Sequence, residues 1–232
     1  MITVAALVAA LGTLSLGQWQ LSRAAQKEAI QSSIHQRSAL SPMTGDALAA
    51  LVSPLIEVHR RVVLDGVWVP EHTVFLDNRQ MDGKPGLYVV TPFRLSGSDV
   101  VFLVQRGWVA RNFLDRTQVP VVQTPAGLVQ IEGRIAPPPA KLYEFSGAAG
   151  ERIRQNLDVS DFAAESGLTL RPGSIQQLGV GGDGLLRQWP QVATGVEKHY
   201  GYAFQWFSLS GLIFTLYVWF QIVRRFIIPQ RR

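Results

Sequence analysis

Residues 200–223 read YGYAFQWFSLSGLIFTLYVWFQIV, without one charged side chain, and Arg224-Arg225 follows at once. The run exceeds the roughly 20 residues that cross about 30 Å of hydrocarbon at helical rise. Only a helix satisfies its own backbone in lipid as a single segment, so residues 199–223 are expected to form a transmembrane helix. A second charge-free run occupies residues 1–22, and its 2–16 segment is almost wholly apolar or small. It carries no basic n-region, and no clean small-x-small cleavage site precedes Trp19 and Arg23. Those features favour a retained first span over a cleaved signal peptide. The Arg224-Arg225 flank favours the cytoplasmic side. Two spans then place both termini in the cytoplasm, residues 23–198 outside it, and residues 224–232 in a basic cytoplasmic tail. Arg23 and Lys27 argue mildly against this direction, but long segments translocate largely regardless of charge.

Composition agrees with a membrane location. Apolar residues make up 47% and charged residues 17%, below the roughly 25% charge of soluble domains. Lys and Arg total 22 against 17 Asp and Glu. Without Arg224, Arg225, Arg231 and Arg232 the body is almost neutral, so the basic patch that nucleic-acid binding needs is absent. The chain has no cysteine, which excludes disulfides, thiolate metal sites, thiol nucleophiles and covalent c-type haem.

Between the spans the pattern changes twice. Residues 24–40 read as a helix continuing outward until Pro42, and residues 44–52 as a short helix before Pro54. Residues 58–69, 73–76, 87–95, 100–110 and 128–135 are rich in β-branched and aromatic side chains, as strands are. Asp82-Gly83, Pro85-Gly86, Ser96-Gly97 and Pro137-Pro138-Pro139 separate them as turn signals. A helical stretch near 159–165 and a strand near 174–178 complete the domain. The expected fold is a membrane α+β protein. Its N- and C-terminal helices flank a β-rich antiparallel sheet or partly closed barrel with marginal helices. Ala5, Ala9, Thr13 and Gly17 form a small-residue stripe, with Gly211 and Thr215 a weaker counterpart. The spans are therefore expected to pack together.

Chemical motifs are sparse. The glycine run at 179–184 fits the spacing of a dinucleotide loop but lacks the strand before and helix after that the chemistry requires. No HExxH, nucleophile elbow or P-loop occurs, and His35, His59 and His72 fall in solvated or turn positions. No catalytic apparatus is visible, so the chain is not expected to be an enzyme. His199 differs, because it heads the aromatic run at the outer mouth of the second span. At helical spacing Tyr202, Ala203 and Trp206 share its face, and Gln18, Trp19 and Gln20 reach the same depth from the first span. An imidazole beside apolar and aromatic walls suits a haem iron. Arg23, Lys27 and Lys198 lie close enough in sequence to meet haem propionates. The alternative is an interfacial histidine within an aromatic belt.

Four segments together carry a family likeness. They are Gly17-Gln18-Trp19-Gln20-Leu21-Ser22-Arg23; Leu76-Asp77-Asn78-Arg79 with Asp82-Gly83-Lys84-Pro85-Gly86; Val104-Gln105-Arg106-Gly107-Trp108-Val109; and Gln188-Trp189-Pro190 followed by the run from Lys198 to Phe207. In this order they resemble the signatures of the surfeit-locus (Surf-type) cytochrome c oxidase assembly family. The resemblance implies a non-catalytic factor in the biogenesis of haem-copper terminal oxidases, acting when haem a enters the large subunit. It implies His199 as the candidate haem ligand, with Tyr202, Trp206, Trp19 and Arg23 around it. The implied partners are the membrane, the oxidase large subunit and other assembly factors. The lack of a basic, Ser-rich transit peptide points to a bacterial inner membrane. Asp77, Asn78, Arg79, Arg106 and Trp108 admit two readings: a surface that touches the oxidase or another factor, or a turn with Trp108 in the sheet core. Two rival functions remain: a cofactor-free scaffold for an assembly intermediate, and a membrane-tethered sensor. The short basic tail disfavours the sensor, being too small for an output module.

Overall fold

A computed structural model describes residues 1–143, 152–180, 182–190 and 195–227. Arg231 and Arg232 of the basic tail and Gly181 of the glycine run lie outside the described residues. By internal contacts the chain divides into two units, one of Met1–Ser33 with Val192–Arg232 and one of Ile34–Gln191.

The first unit is a pair of helices. Helix α1 spans Ile2–Ala39, with no proline to interrupt it before Pro42. The four helices α1–α4 are numbered in chain order. The last, α4, spans Val196–Tyr217 and continues through Val218–Ile227 as π-helix. Both α1 and α4 with its extension are long and apolar enough to cross a membrane. They run antiparallel, as three contacts show: Ser210 Oγ donates to Ala10 O at 3.0 Å, Tyr217 Oη to Thr3 Oγ1 at 3.2 Å and Tyr200 Oη to Glu28 Oε1 at 2.9 Å.

The covered positions of α1 include Ala6, Ala10, Thr13, Gly17, Gln20 and Ala24. On α4 they include His199, Ala203, Trp206, Ser210 and Ile213. Steps alternate between three and four, the period that keeps one face toward a partner helix. The expected stripe at spacing four is corrected accordingly. Thr13 and Gly17 face α4, whereas Ala5 and Ala9 are exposed, as are Gly211 and Thr215. A strict four-residue step drifts around a helix of 3.6 residues per turn and leaves the seam. At Gly17 a Cβ would fall 2.6 Å from the Phe207 ring.

Among the described residues the second unit is built on eight strands: β1 Met43–Thr44, β2 Arg61–Trp68, β3 Val74–Met81, β4 Lys84–Leu95, β5 Val101–Ala110, β6 Val129–Ala136, β7 Ile153–Arg154 and β8 Ser174–Gln177. Their order is β1-β2-β6-β8-β5-β4-β3-β7. The sheet is mixed, which corrects the antiparallel expectation. β1 runs parallel to β2, β7 to β3, and β8 to β5. The parallel partners are two- or four-residue strands reached by long connections, so no hairpin signal announces them. β2 also meets β4 at Gly66–Trp68 over three residue pairs. The sheet curls back on itself there, but over too short a contact to close a barrel along its length.

Helix α2, Gly45–Ala49, is capped by Thr44, whose hydroxyl accepts from Ala47 N. Helix α3, Val159–Ser166, is capped by Asp158, which accepts from Ser160 N and Asp161 N. The main core packs Leu64, Phe93, Phe102, Ile131, Ile135 and Ile175 against Leu48 of α2. One expected turn is not a turn. Pro85 and Gly86 lie inside β4, where Pro85 pairs only with Gln80 of β3 and so loses no second ladder bond. The β3–β4 reversal is made by Asp82-Gly83 alone, both at positive φ (49° and 73°), the geometry of a two-residue hairpin.

Candidate functional site

Two sites emerge, one in each unit. In the helix pair, His199 sits on the seam of α4 and Gln20 on that of α1. Their approach is 2.7 Å between His199 Nδ1 and Gln20 Oε1. An amide oxygen only accepts, so the pairing selects the tautomer with Nδ1–H and leaves the Nε2 lone pair free. An acceptor on one ring nitrogen is the arrangement that orients a histidine whose other nitrogen binds a metal. Ala203 and Trp206 share the seam with His199. Tyr202 and Trp19 do not, being 51% and 52% exposed. Arg23 lies over the Trp19 ring at 5.7 Å and donates to Gln26 Oε1 at 3.2 Å. The structure thus brings His199 and Gln20 together, with Ala203 and Trp206 further along the same face of α4, and leaves Trp19, Arg23 and Tyr202 exposed. His199 through Nε2, the exposed aromatic side chains and the Arg23 guanidinium are the groups of this unit whose chemistry would suit a haem.

In the sheet domain the remaining motif segments meet. Between β3 and β4 the register slips by one residue after Leu76, a bulge whose Asn78 takes φ 60°. Asp77-Asn78-Arg79 is therefore a bulge within a strand, where a turn was one of the expected readings. Bulges re-aim side chains, and this one turns Arg79 inward to 5% exposure. Its Nη1 donates to Ala140 O at 2.7 Å and its Nη2 to Gln155 O at 2.8 Å. The Arg79 carbonyl in turn accepts from Trp108 Nε1 at 2.9 Å. Trp108 packs with Met81 and Trp189, and Trp189 meets Tyr88 edge-on at 5.2 Å. At Gly86 an added Cβ would lie 2.4 Å from the Trp108 ring and from Val109 O, so the position admits only glycine. Asp77 is half-buried and paired with Arg111 at 3.4 Å, while Asn78 is exposed.

A second bulge lies on β5. Val89 pairs with Gly107 and Val90 with Gln105, which leaves Arg106 as the extra residue. Its side chain is 1% exposed and lies 4.7 Å over the Trp68 ring. Burial pushes its pKa down, and Asp183 beside it pushes back. Of the five partner-contact candidates, Arg79, Arg106 and Trp108 are thus enclosed within the domain and Asn78 is on its surface. Tyr88, Trp189, Asp183 and Arg187 were not among the expected site residues. The Gln188-Trp189-Pro190 match was the one signal that could have placed Trp189 in this cluster.

Comparison with known proteins follows the same segments. The sequence model described as the SURF1 family matches residues 7–211. A SURF1-like protein of Rickettsia felis is 29% identical over 215 residues, covering 88% of this chain and 90% of that protein. One of Drosophila melanogaster is 25% identical over 242 residues, covering 92% and 75%. One of Rickettsia prowazekii is 28% identical over 211 residues, covering 88% and 83%.

Proposed function

We propose, from the premise that this chain belongs to the SURF1 family, that it is a non-catalytic assembly factor for a haem-copper terminal oxidase, acting on haem a. The carrying observation is the His199–Gln20 pair on the helix seam, which presents Nε2 to a ligand. His199 would hold the haem iron through Nε2, with Gln20 holding its ring. Arg23 and the exposed aromatic side chains offer a guanidinium and apolar walls. Haem a, once bound, supplies a redox-active iron and a hydrophobic tail that must be shielded until transfer. A single histidine suits a carrier that must also release its load.

The setting proposed is a bacterial inner membrane, with residues 1–22 and 199–223 as spans, residues 23–198 outside, and both termini cytoplasmic. Support comes from the bare apolar faces of both helices, including Leu7, Leu11, Phe204, Phe214 and Trp219. Water would penalise that surface and lipid would not. The Arg224-Arg225 flank supports the direction. The oxidase large subunit and other assembly factors are the proposed partners.

A second reading, a cofactor-free scaffold, is favoured by the position of two whole motif segments in the sheet domain. The discriminating measurement is the visible spectrum of the detergent-purified protein from a host that makes haem a, beside His199→Ala. A haem spectrum lost in the variant supports the carrier. Absence of haem from both proteins, with oxidase subunits still co-purifying, supports the scaffold.

A further inference from the structure

The bulge at Arg106 turns this side chain toward a cavity of about 470 Å³ in the sheet domain, within the size range of small-molecule sites. Three charged residues line it: Arg106, Asp183 and Arg187. Arg187 Nε donates to Arg106 O at 2.7 Å, and its Nη2 donates to Asp183 Oδ2 at 2.5 Å. Arg106 Nη2 reaches the same carboxylate oxygen at 3.4 Å. Its Nη2 also donates to Gln123 O at 2.8 Å, and its Nη1 to Thr124 Oγ1 at 2.6 Å. Two guanidinium ions thus share one carboxylate, and both side chains are nearly inaccessible, at 1% and 4%.

The arrangement leaves one positive charge uncompensated. It also leaves donors unused: among the described residues, Arg187 Nη1 and Arg106 Nε have no hydrogen-bond partner. A buried charge without a counter-ion and a buried donor without an acceptor are both costly. A monoanion would relieve both, whereas a dianion would overshoot the charge. Pro125, Val129 and Ile131 line the same cavity and give it an apolar side. We propose that this cavity binds a small organic monocarboxylate, its carboxylate toward Arg187 and Arg106 and its apolar body toward Val129 and Ile131. Arginine suits this ligand because its planar fork matches a carboxylate. The site lies wholly within the sheet domain and does not depend on haem binding at His199.

The test is calorimetric titration of the detergent-purified full chain with benzoate and with its neutral counterpart benzamide. Folding of each variant is checked by circular dichroism. Benzoate is expected to bind one to one, with benzamide about tenfold weaker or more, the scale of one lost charge-assisted contact. Val129→Phe fills the cavity without touching the arginines and should abolish benzoate binding. Arg187→Gln should weaken it by a similar tenfold or more. Failure of the folded wild-type chain to bind benzoate saturably would overturn the proposal. So would benzoate binding that Val129→Phe leaves intact. Inorganic phosphate or sulfate binding as tightly as benzoate would overturn the choice of an organic carboxylate.

Discussion

His199 Nδ1 and Gln20 Oε1 stand 2.7 Å apart, although 179 residues separate them in the chain. The contact sets both the tautomer and the plane of the imidazole. Replacing Gln20 by Leu keeps the histidine but removes its orienting acceptor. Haem affinity, read by titration of visible absorbance, should fall roughly 10- to 100-fold, the usual cost of losing such a partner. His199→Ala should abolish the haem spectrum of the purified protein altogether. Equal affinity in wild type and Gln20→Leu would show that the contact does not orient a ligand.

Gly17 faces the Phe207 ring where any Cβ would intrude to 2.6 Å. Gly17→Leu should therefore push the two helices apart at this level. The absence of cysteine makes the measurement simple. Cysteines introduced at Ala10 and Ser210, whose positions meet across the seam, should cross-link readily under mild oxidation. Adding Gly17→Leu should slow that reaction several-fold. An unchanged rate would mean that Phe207 turns aside at little cost.

Much of this was legible in the sequence, and the exceptions share physical causes. The apolar runs show α1 and α4 directly, because each is long and apolar enough to cross a membrane, a length and composition that few other elements have. The long strands β2, β4, β5 and β6 and the hairpin turns at Asp82-Gly83 and Ser96-Gly97 were also readable. The two-residue strands β1 and β7 were not, nor was the parallel pairing of β8, whose strand near 174–178 was expected; these partners are chosen by tertiary packing over long connections. Bulges are likewise silent in a hydrophobicity pattern, so Asp77-Asn78-Arg79 resembles a turn until its register with β4 is known. His199 was legible through its place at the head of an aromatic run. The burial of Arg106 was not, because an arginine in a strand reads as a solvated edge until Asp183 and Arg187 are seen around it.

Gly86 and Trp108 should be tightly coupled. Gly86→Ala places a methyl 2.4 Å from both the indole and a backbone carbonyl, and a backbone oxygen cannot swing aside. Overpacking of this kind costs typically about 1–3 kcal/mol. Trp108→Phe makes room but leaves the Arg79 carbonyl without its indole donor, a loss of about 1–3 kcal/mol. Because the smaller ring relieves the indole part of the clash, though not the part with Val109 O, the double variant should be less destabilised than the sum of the two. Chemical denaturation of all four proteins forms the cycle. Strict additivity would show that the two positions do not press on each other.

His59 gives the sheet domain a stability gradient on the acid side of neutrality. Its pKa is held below the ordinary 6.5, first by burial and then by Arg134 and Arg37. The folded chain therefore resists taking a proton that the unfolded chain accepts near pH 6.5. Stability is flat in this term above that value. It declines as pH falls through 6.5 toward the depressed folded value, because the unfolded state then binds more protons. Asp158 and Glu165 act in a separate window. Hydrogen bonds from Lys141 and Arg154 respectively hold them below the usual carboxylate range. Their contribution is present above the unfolded carboxylate pKa and disappears only in stronger acid. Denaturant midpoints measured from pH 8 to pH 3 should thus show two declines. His59→Gln should remove the first and leave the second. A decline near pH 6 that persists in the variant would place its origin in another group.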